Sequence, residues 1–238
     1  IGQAIKDLNE DLVTGLISTN EKIYDLLTLG KSYQENMVDG TKRSFDIKYI
    51  DFEHPENNDF YVTDEFSVLR MNGKDYARPD IVLFVNGIPL AVIECKDASV
   101  PIIQAISQNI RNQKPDYIPQ LFKFIQIVMA ANKNETKYAT CGTPDKFWST
   151  WNEQYVERQN ELLNKTVIGR QVTKQDRDII SLFEKERFLE LIKDFIIFEA
   201  GKKKICRYQQ YFAVKAMLER IKLDKKGGVV WHTQGSGK

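Results

Sequence analysis

The feature that most restricts the fold is a pair of apolar runs on either side of an Asn-Gly dipeptide. Residues 81–85 and 88–93 are apolar at every position, and Asn86-Gly87 separates them. Two β-forming runs around Asn-Gly predict a hairpin. Strands without polar alternation are normally buried on both faces. The sequence therefore predicts a hairpin in a sheet that is covered on both sides.

Charged residues occur where these runs begin and end. Pro79-Asp80 precedes the first run, and Glu94-Cys95-Lys96 ends the second. Glu94 and Lys96 share a face because side chains alternate along a strand. Phosphodiester hydrolysis needs a nucleophilic water and charge stabilisation, which carboxylate-held Mg²⁺ supplies. Asp80, Glu94 and the backbone carbonyl of Cys95 are candidate metal ligands, and Lys96 is a candidate for orienting the water. The alternative is a set of solvated charges at a strand end.

The connection between the two strands decides whether the two carboxylates meet. A regular two-residue turn at residues 86–87 would place Asp80 and Glu94 on opposite sheet faces. A three-residue loop, residues 85–87, would place Asp80 opposite Val92, one diagonal step of roughly 7–8 Å from Glu94. We therefore predict an odd loop or a bulge.

Other segments alternate between helical and strand character, which predicts a mixed α/β core. Asn20-Glu21 is a candidate start for a second helix inside an N-terminal helical stretch. Apolar residues in 188–196 predict the last helix of a charged, helical region. Helical patterns cover residues 5–29, 101–113 and 150–200, and strand patterns cover residues 45–52, 59–62, 66–69, 122–130, 137–141 and 228–231.

The helix predicted after Lys96 has a polar stripe and an opposite isoleucine stripe. Gln104, Gln108 and Arg111 form the polar stripe at positions i, i+4 and i+7. Glutamine and arginine can hydrogen-bond phosphates and base edges, so these three are candidates for contacting DNA or the catalytic residues. An ordinary solvated helix face is the alternative.

Composition excludes several other classes of protein. The two histidines, His54 and His232, are far apart, and the three cysteines form no CxxC pair. Histidine-based metal sites and a disulfide framework are therefore not expected. No apolar run reaches the roughly 18 residues of a membrane span, and no signal peptide is recognised. The expected location is the cytoplasm, with no membrane partner.

A glycine-rich segment follows residues 228–231, which have the pattern of a buried strand. Glycines after a strand expose backbone N–H groups to phosphates, and a lysine reaches the terminal phosphates. The full pattern G-x-x-x-x-G-K-[ST] is not met, because His232 stands at the first glycine position, so a flexible loop is the alternative. The candidate phosphate contacts are Gly235, Ser236, Gly237 and Lys238.

In this order, these residues resemble the N-terminal part of the restriction (R) subunit of type I restriction-modification enzymes. Residues 78–96 are the most specific stretch. The resemblance implies a PD-(D/E)xK restriction-endonuclease-like mixed sheet flanked by helices in residues 1–148. A helical connector would follow in residues 149–203, and the beginning of a RecA-like ATPase in residues 204–238.

Two smaller motifs carry the same resemblance. The family has a Gln-x-x-x-Tyr motif after the lysine; Gln108 matches its glutamine, and Asn112 replaces its tyrosine. Residues 207–210, Arg-Tyr-Gln-Gln, resemble the Q-motif of superfamily 2 motors, in which Gln210 would read adenine beside Arg207.

The resemblance implies Mg²⁺-dependent cleavage of double-stranded DNA, with Mn²⁺ as a substitute, by Asp80, Glu94 and Lys96. The full-length protein would use ATP to translocate, in a complex with modification (M) and specificity (S) subunits. Glu21 or Glu35 is a candidate second metal ligand. The chain up to Lys238 is not expected to turn over ATP by itself, since it lacks the Ser/Thr that follows the lysine. One alternative is a DNA-binding or assembly module with an inactive site; another is a DNA-repair nuclease of the same fold.

Overall fold

Helices and strands alternate along the chain in the computed structural model, which describes residues 2–153, 157–224 and 227–231. The helices are α1 (Gly2–Leu8), α2 (Leu16–Leu29), α3 (Ile102–Asn112), α4 (Pro119–Phe122), α5 (Glu157–Thr166), α6 (Lys174–Phe183), α7 (Lys185–Asp194) and α8 (Tyr208–Asp224). The strands are β1 (Lys31–Asn36), β2 (Lys42–Ile47), β3 (Phe60–Asp64), β4 (Val68–Leu69), β5 (Tyr76–Ala77), β6 (Ile81–Val85), β7 (Ile88–Cys95), β8 (Ile127–Ala131), β9 (Thr136–Ala139), β10 (Ile196–Glu199) and β11 (Lys202–Ile205).

A mixed sheet of order β3-β6-β7-β8-β9 carries the core. Strands β7 and β8 run parallel, and the other neighbours are antiparallel. Strand β7 is central, and its residues from Leu90 to Glu94 are buried, as expected for a strand covered on both faces. The predicted α/β class, with a mixed sheet flanked by helices, is confirmed.

The connection between β6 and β7 is a two-residue turn followed by a bulge. Asn86 and Gly87 both have positive φ, 51° and 79°, as a tight hairpin turn with the twist of its strands requires. Further along, Leu83 pairs with Ala91 while Phe84 pairs with Pro89, which leaves one extra residue on β7. Such an extra residue defines a β-bulge.

This bulge corrects one expectation and confirms another. The three-residue loop at 85–87 is wrong, because Val85 pairs directly with Ile88. The predicted bulge is confirmed, and it shifts the register so that Ile81 pairs with Ile93. Asp80 therefore stands across from Glu94 rather than across from Val92.

Two apolar clusters cover the two faces of the sheet. Helix α3 packs on one face through Ile102 and Ile106, against Val92 and Val128. Helices α2, α7 and α8 pack on the other face against alternate residues of the same strands, such as Ile93 and Met129. The alternation follows from the two-residue period of strand side chains. None of the described helices combines the length and apolar character of a membrane span.

The N-terminal segment differs from the prediction in two places. The helical stretch is interrupted after α1, and α2 begins at Leu16, directly after Gly15. Asn20 therefore lies inside α2, where it is fully buried, and it does not start a second helix. The strand predicted at residues 45–52 is instead β2, which ends at Ile47 and pairs with β1, a strand that the sequence did not suggest.

The later part of the chain also departs from the helical prediction. Helix α7 ends at Asp194, and Ile196 opens the β10–β11 hairpin rather than extending the helix. Residues 227–231 do not form the expected buried strand, and Val229 and Trp231 are each 92% exposed. Within the part of the chain that the structure describes, no strand pairs with residues 227–231. A strand becomes buried only when neighbouring strands or helices cover it. Gly235, Ser236, Gly237 and Lys238 lie outside the described residues.

Candidate active site

Asp80, Glu94 and Lys96 converge where β6 begins and β7 ends. Val82 and Val92 face α3, so Asp80 and Glu94, each two residues away on its chain, face the same side. The backbone N–H of Cys95 donates to Asp80 Oδ2 at 2.7 Å. Lys96 Nζ lies 3.9 Å from the same oxygen. The three predicted catalytic residues therefore form one cluster.

Helix α3 holds this cluster through two amide side chains one turn apart. Gln108 Nε2 donates to Glu94 Oε2 at 2.5 Å, and Gln108 Oε1 accepts from Lys96 Nζ at 2.8 Å. Asn112 Nδ2 donates to the other carboxylate oxygen, Glu94 Oε1, at 3.0 Å. Gln108 contacts Glu94 and Lys96, two of the candidate catalytic residues, as predicted. No role was predicted for Asn112, although its spacing of four residues from Gln108 places both amides on one helix face.

The electrostatics of the cluster are set by a buried carboxylate beside a second one. Burial, and after it the nearby carboxylate of Asp80, raise the pKa of Glu94 to about 8 against the opposing charges of Lys96 and Arg111. Two close carboxylates beside a backbone carbonyl fit a hard divalent cation that prefers oxygen ligands. The donor set of Asp80, Glu94 and the Cys95 carbonyl therefore suits Mg²⁺ or Mn²⁺.

Neither glutamate named as a further metal ligand reaches this pair. Among the residues that the structure describes, no three His, Cys, Asp or Glu side chains form a group able to hold a metal ion. Glu21 lies in α2 and Glu35 lies on the exposed strand β1. The expectation for both residues is wrong, because their elements pack elsewhere.

The polar stripe of α3 lines an open cavity next to the cluster. This cavity has a volume of about 350 Å³, and Lys96, Gln104, Gln108 and Arg111 are among its lining residues. The guanidinium of Arg111 lies 5.2 Å from the centre of the Tyr117 ring. The structure thus brings all three stripe residues to one surface beside Glu94 and Lys96.

Arg207 and Gln210 lie at the start of α8 and contact each other. The backbone N–H of Arg207 donates to Gln210 Oε1 at 2.8 Å. Both residues line a second cavity of about 430 Å³, which is also lined by residues 138–144 and 201–205. The structure therefore separates these predicted nucleotide contacts from the carboxylate cluster.

Comparison with known proteins matches two segments of the chain to described families. Residues 2–147 match the type I restriction enzyme R protein N terminus, and residues 209–238 match the SWI2/SNF2 ATPase.

Individual relatives are similar over most of this chain but only part of their own length. The chain is 32% identical to a putative type I restriction enzyme MjaIXP endonuclease subunit from Methanocaldococcus jannaschii, over 99% of this chain and 26% of that protein. It is 29% identical to the type I restriction enzyme HindI endonuclease subunit from Haemophilus influenzae, over 100% of this chain and 23% of that protein. The MjaVIIP endonuclease subunit from Methanocaldococcus jannaschii is 36% identical over 83% of this chain and 18% of its own length. The chain thus spans about a quarter or less of the length of these curated relatives.

Proposed function

The chain belongs to the family of type I restriction enzyme R protein N termini, and from this membership we propose that it is a metal-dependent endonuclease acting on double-stranded DNA. The observation that carries the proposal is the convergence of Asp80, Glu94 and Lys96 at one end of the central strands. Glu94 is buried and Asp80 is partly buried beside it, and neighbouring carboxylates are rarely placed together without a positive charge to neutralise them. Their arrangement supports a PD-(D/E)xK type of site.

Each residue of the cluster has a distinct role in this proposal. The carboxylates of Asp80 and Glu94 and the carbonyl of Cys95 would hold Mg²⁺ or Mn²⁺. A bound divalent ion lowers the pKa of its water and stabilises negative charge on phosphate oxygens. Lys96 orients the attacking water and balances the carboxylate charge. Gln108 holds Lys96 and Glu94 at once, which keeps the water-orienting amine beside the metal ligand.

The exposed residues of the stripe are suited to the DNA backbone. Gln104 and Arg111 point into the open cavity beside Lys96, where a phosphate can be reached without deforming the fold. Contacts of this kind position DNA and carry no base sequence. We therefore propose that the chain cleaves without reading a sequence of its own, and that M and S subunits supply recognition.

The full-length protein is proposed to be an ATP-dependent translocase. The match of residues 209–238 to the SWI2/SNF2 ATPase supports the use of ATP. Arg207 and Gln210 would contact the adenine. The glycine-rich segment with Gly235, Ser236, Gly237 and Lys238 would contact the phosphates. Double-stranded DNA, Mg²⁺ and ATP are the proposed ligands of the complete enzyme.

The test is a plasmid-cleavage assay with the full-length protein, assembled with its M and S subunits and supplied with ATP, in Mg²⁺, Mn²⁺ or EDTA. Asp80→Ala, Glu94→Ala and Lys96→Ala should each remove most of the activity, because groups that act as a unit show large single losses. Asp97→Ala is the matched control, since Asp97 is exposed next to Lys96 and hydrogen-bonds only locally, to Ser99.

Two results would contradict the proposal. Robust cleavage by the Lys96→Ala protein would remove the lysine from the mechanism. DNA binding by the wild-type protein without any metal-dependent cleavage would instead indicate a binding and assembly module with an inactive site.

A further inference from the structure

Asn112 is a buried amide at the C-terminal end of α3, in direct contact with a carboxylate. We propose that Asn112 is a positioning residue that holds the Glu94 carboxylate in the orientation that binds a divalent cation. The inference rests on the proposed nuclease function and extends it to a residue outside the catalytic cluster. Asn112 acts through Glu94, since its side chain is buried and its amide contacts that carboxylate.

The two oxygens of Glu94 are held separately by two amides of one helix. Asn112 Nδ2 binds Oε1 at 3.0 Å and Gln108 Nε2 binds Oε2 at 2.5 Å. Glu94 is fully buried and Asn112 is 1% exposed, so water does not compete for these bonds. A carboxylate oxygen has two acceptor positions, and each oxygen therefore keeps one for a cation on the Asp80 side. With both oxygens held, the carboxylate cannot rotate away from Asp80.

Arg111 determines which end of the Asn112 amide faces Glu94. Arg111 Nη2 donates to Asn112 Oδ1 at 3.3 Å. The reversed amide would place its oxygen against the carboxylate and its NH₂ group against the guanidinium, and both contacts are repulsive. The network thus assigns the NH₂ group to Glu94. Only a side chain with both a donor and an acceptor satisfies the two neighbours.

The same contacts explain why this position matters for metal affinity. Each Glu94 oxygen accepts one of these bonds, so the carboxylate is held in a single orientation toward Asp80. Groups that hydrogen-bond to a metal ligand without touching the metal typically contribute 10–100-fold to metal affinity. Loss of the Asn112 donor should therefore weaken metal binding more than it weakens the fold.

The experiment compares Asn112→Leu with Asn109→Leu in the 238-residue chain. Asn109 is also buried on α3, but its Nδ2 donates to the backbone carbonyl of Met129 at 3.0 Å, away from Glu94. Mn²⁺ affinity is measured from the EPR signal of the free ion, and thermal unfolding is recorded for each protein. Asn112→Leu should weaken Mn²⁺ binding about tenfold, whereas Asn109→Leu should lower the melting temperature without changing the affinity.

The possible outcomes separate this inference from the proposed function. Wild-type Mn²⁺ affinity in Asn112→Leu overturns the inference alone, and so do equal losses in both leucine variants. Absence of Mn²⁺ binding by the wild-type chain removes the proposed function and the inference together. If Asn112→Leu is unfolded at the assay temperature, Asn112→Ser replaces it under the same criterion, because serine is small enough to fit and too short to reach Glu94.

Discussion

Lys203 on β11 is a buried lysine whose hydrogen-bond acceptors, within the described residues, are all uncharged oxygens. Its Nζ donates to Asn20 Oδ1 at 2.7 Å, to Gln126 Oε1, and to the backbone carbonyl of Ile125 at 3.4 Å. The bonds join β11 to α2 and to the chain segment before β8. Lys203→Met keeps much of the apolar volume and removes the amine, so it isolates the contribution of this group.

The magnitude follows from the pKa of the amine. Burial lowers the pKa of Lys203 to about 7 from 10.5. Between these two values the unfolded chain binds a proton that the folded chain does not, so the free energy of unfolding rises with pH. The slope approaches 1.4 kcal/mol per pH unit well above pH 7. From pH 7 to pH 9 the wild type should gain about 2 kcal/mol of stability relative to Lys203→Met.

The variant also leaves two buried acceptors without their donor. Asn20 Oδ1 and Gln126 Oε1 would each lose the bond from Lys203, at roughly 1–3 kcal/mol per unsatisfied group. Loss of these two bonds should therefore by itself destabilise Lys203→Met by about 2–6 kcal/mol. The deficit should shrink toward pH 7, where the wild type carries the cost of a buried charge.

The assay is urea unfolding followed by tryptophan fluorescence at pH 7, 8 and 9, under reducing conditions. Lys202→Met, a change at the exposed neighbouring lysine, is the control. Other titrating groups are common to all the proteins, so their contributions cancel in the differences. A stability difference between the wild type and Lys203→Met that stays constant across this range would refute the reasoning. Such a constant difference would mean that the three acceptor oxygens around Lys203 keep its ammonium group charged in the folded chain.

Three further predictions concern the cluster and its supports. Asp80→Asn should abolish cleavage and, without metal at pH 9, above the Glu94 pKa of about 8, raise the melting temperature by about 2–4 °C, the shift expected for roughly 1 kcal/mol, because it removes repulsion with ionised Glu94; a lower melting temperature at that pH would count against the repulsion. Gly87→Ala should destabilise the chain by about 1 kcal/mol in urea unfolding, since alanine is strained at positive φ; unchanged stability would contradict the strained turn. Arg111→Ala should weaken DNA binding and reduce the slope of log affinity against log salt by about 1; an unchanged slope in a fluorescence-anisotropy titration would remove Arg111 from the phosphate contacts.

Local patterns in the sequence were sufficient for the central hairpin and for α3. The apolar runs on either side of residues 86–87 and the stripes of residues 102–112 depend on side-chain periodicity, which neighbouring residues set. The acidic and basic residues at the ends of the buried strands were also visible as a departure from that apolar pattern. The cluster of Asp80, Glu94 and Lys96 could therefore be predicted before the fold was known.

The connection between β6 and β7 shows the limit of local patterns. Because side chains alternate between the two faces of a strand, Asp80 and Glu94 can share a face only if the connection has an odd loop or a bulge. The structure contains the bulge. Its place in β7, rather than in the turn, depends on how residues 83–91 pair with β6 on one side and β8 on the other. The dihedral preference of Asn86-Gly87 favoured the two-residue turn, so the extra residue had to be accommodated elsewhere.

The sequence by itself determined the central strands, the amphipathic helix α3 and the identity of the charged cluster, because these depend on the order of neighbouring residues. Only the tertiary structure decided the partners of the buried polar groups. Asn20 donates to the backbone carbonyls of Phe122, Lys123 and Ile125. Lys203 donates to Asn20, and Asn112 donates to Glu94. The position of Glu21 outside the cluster was likewise decided by the packing of its helix, α2. A buried polar group must find a partner within hydrogen-bond reach, and which groups lie within reach depends on how distant elements pack.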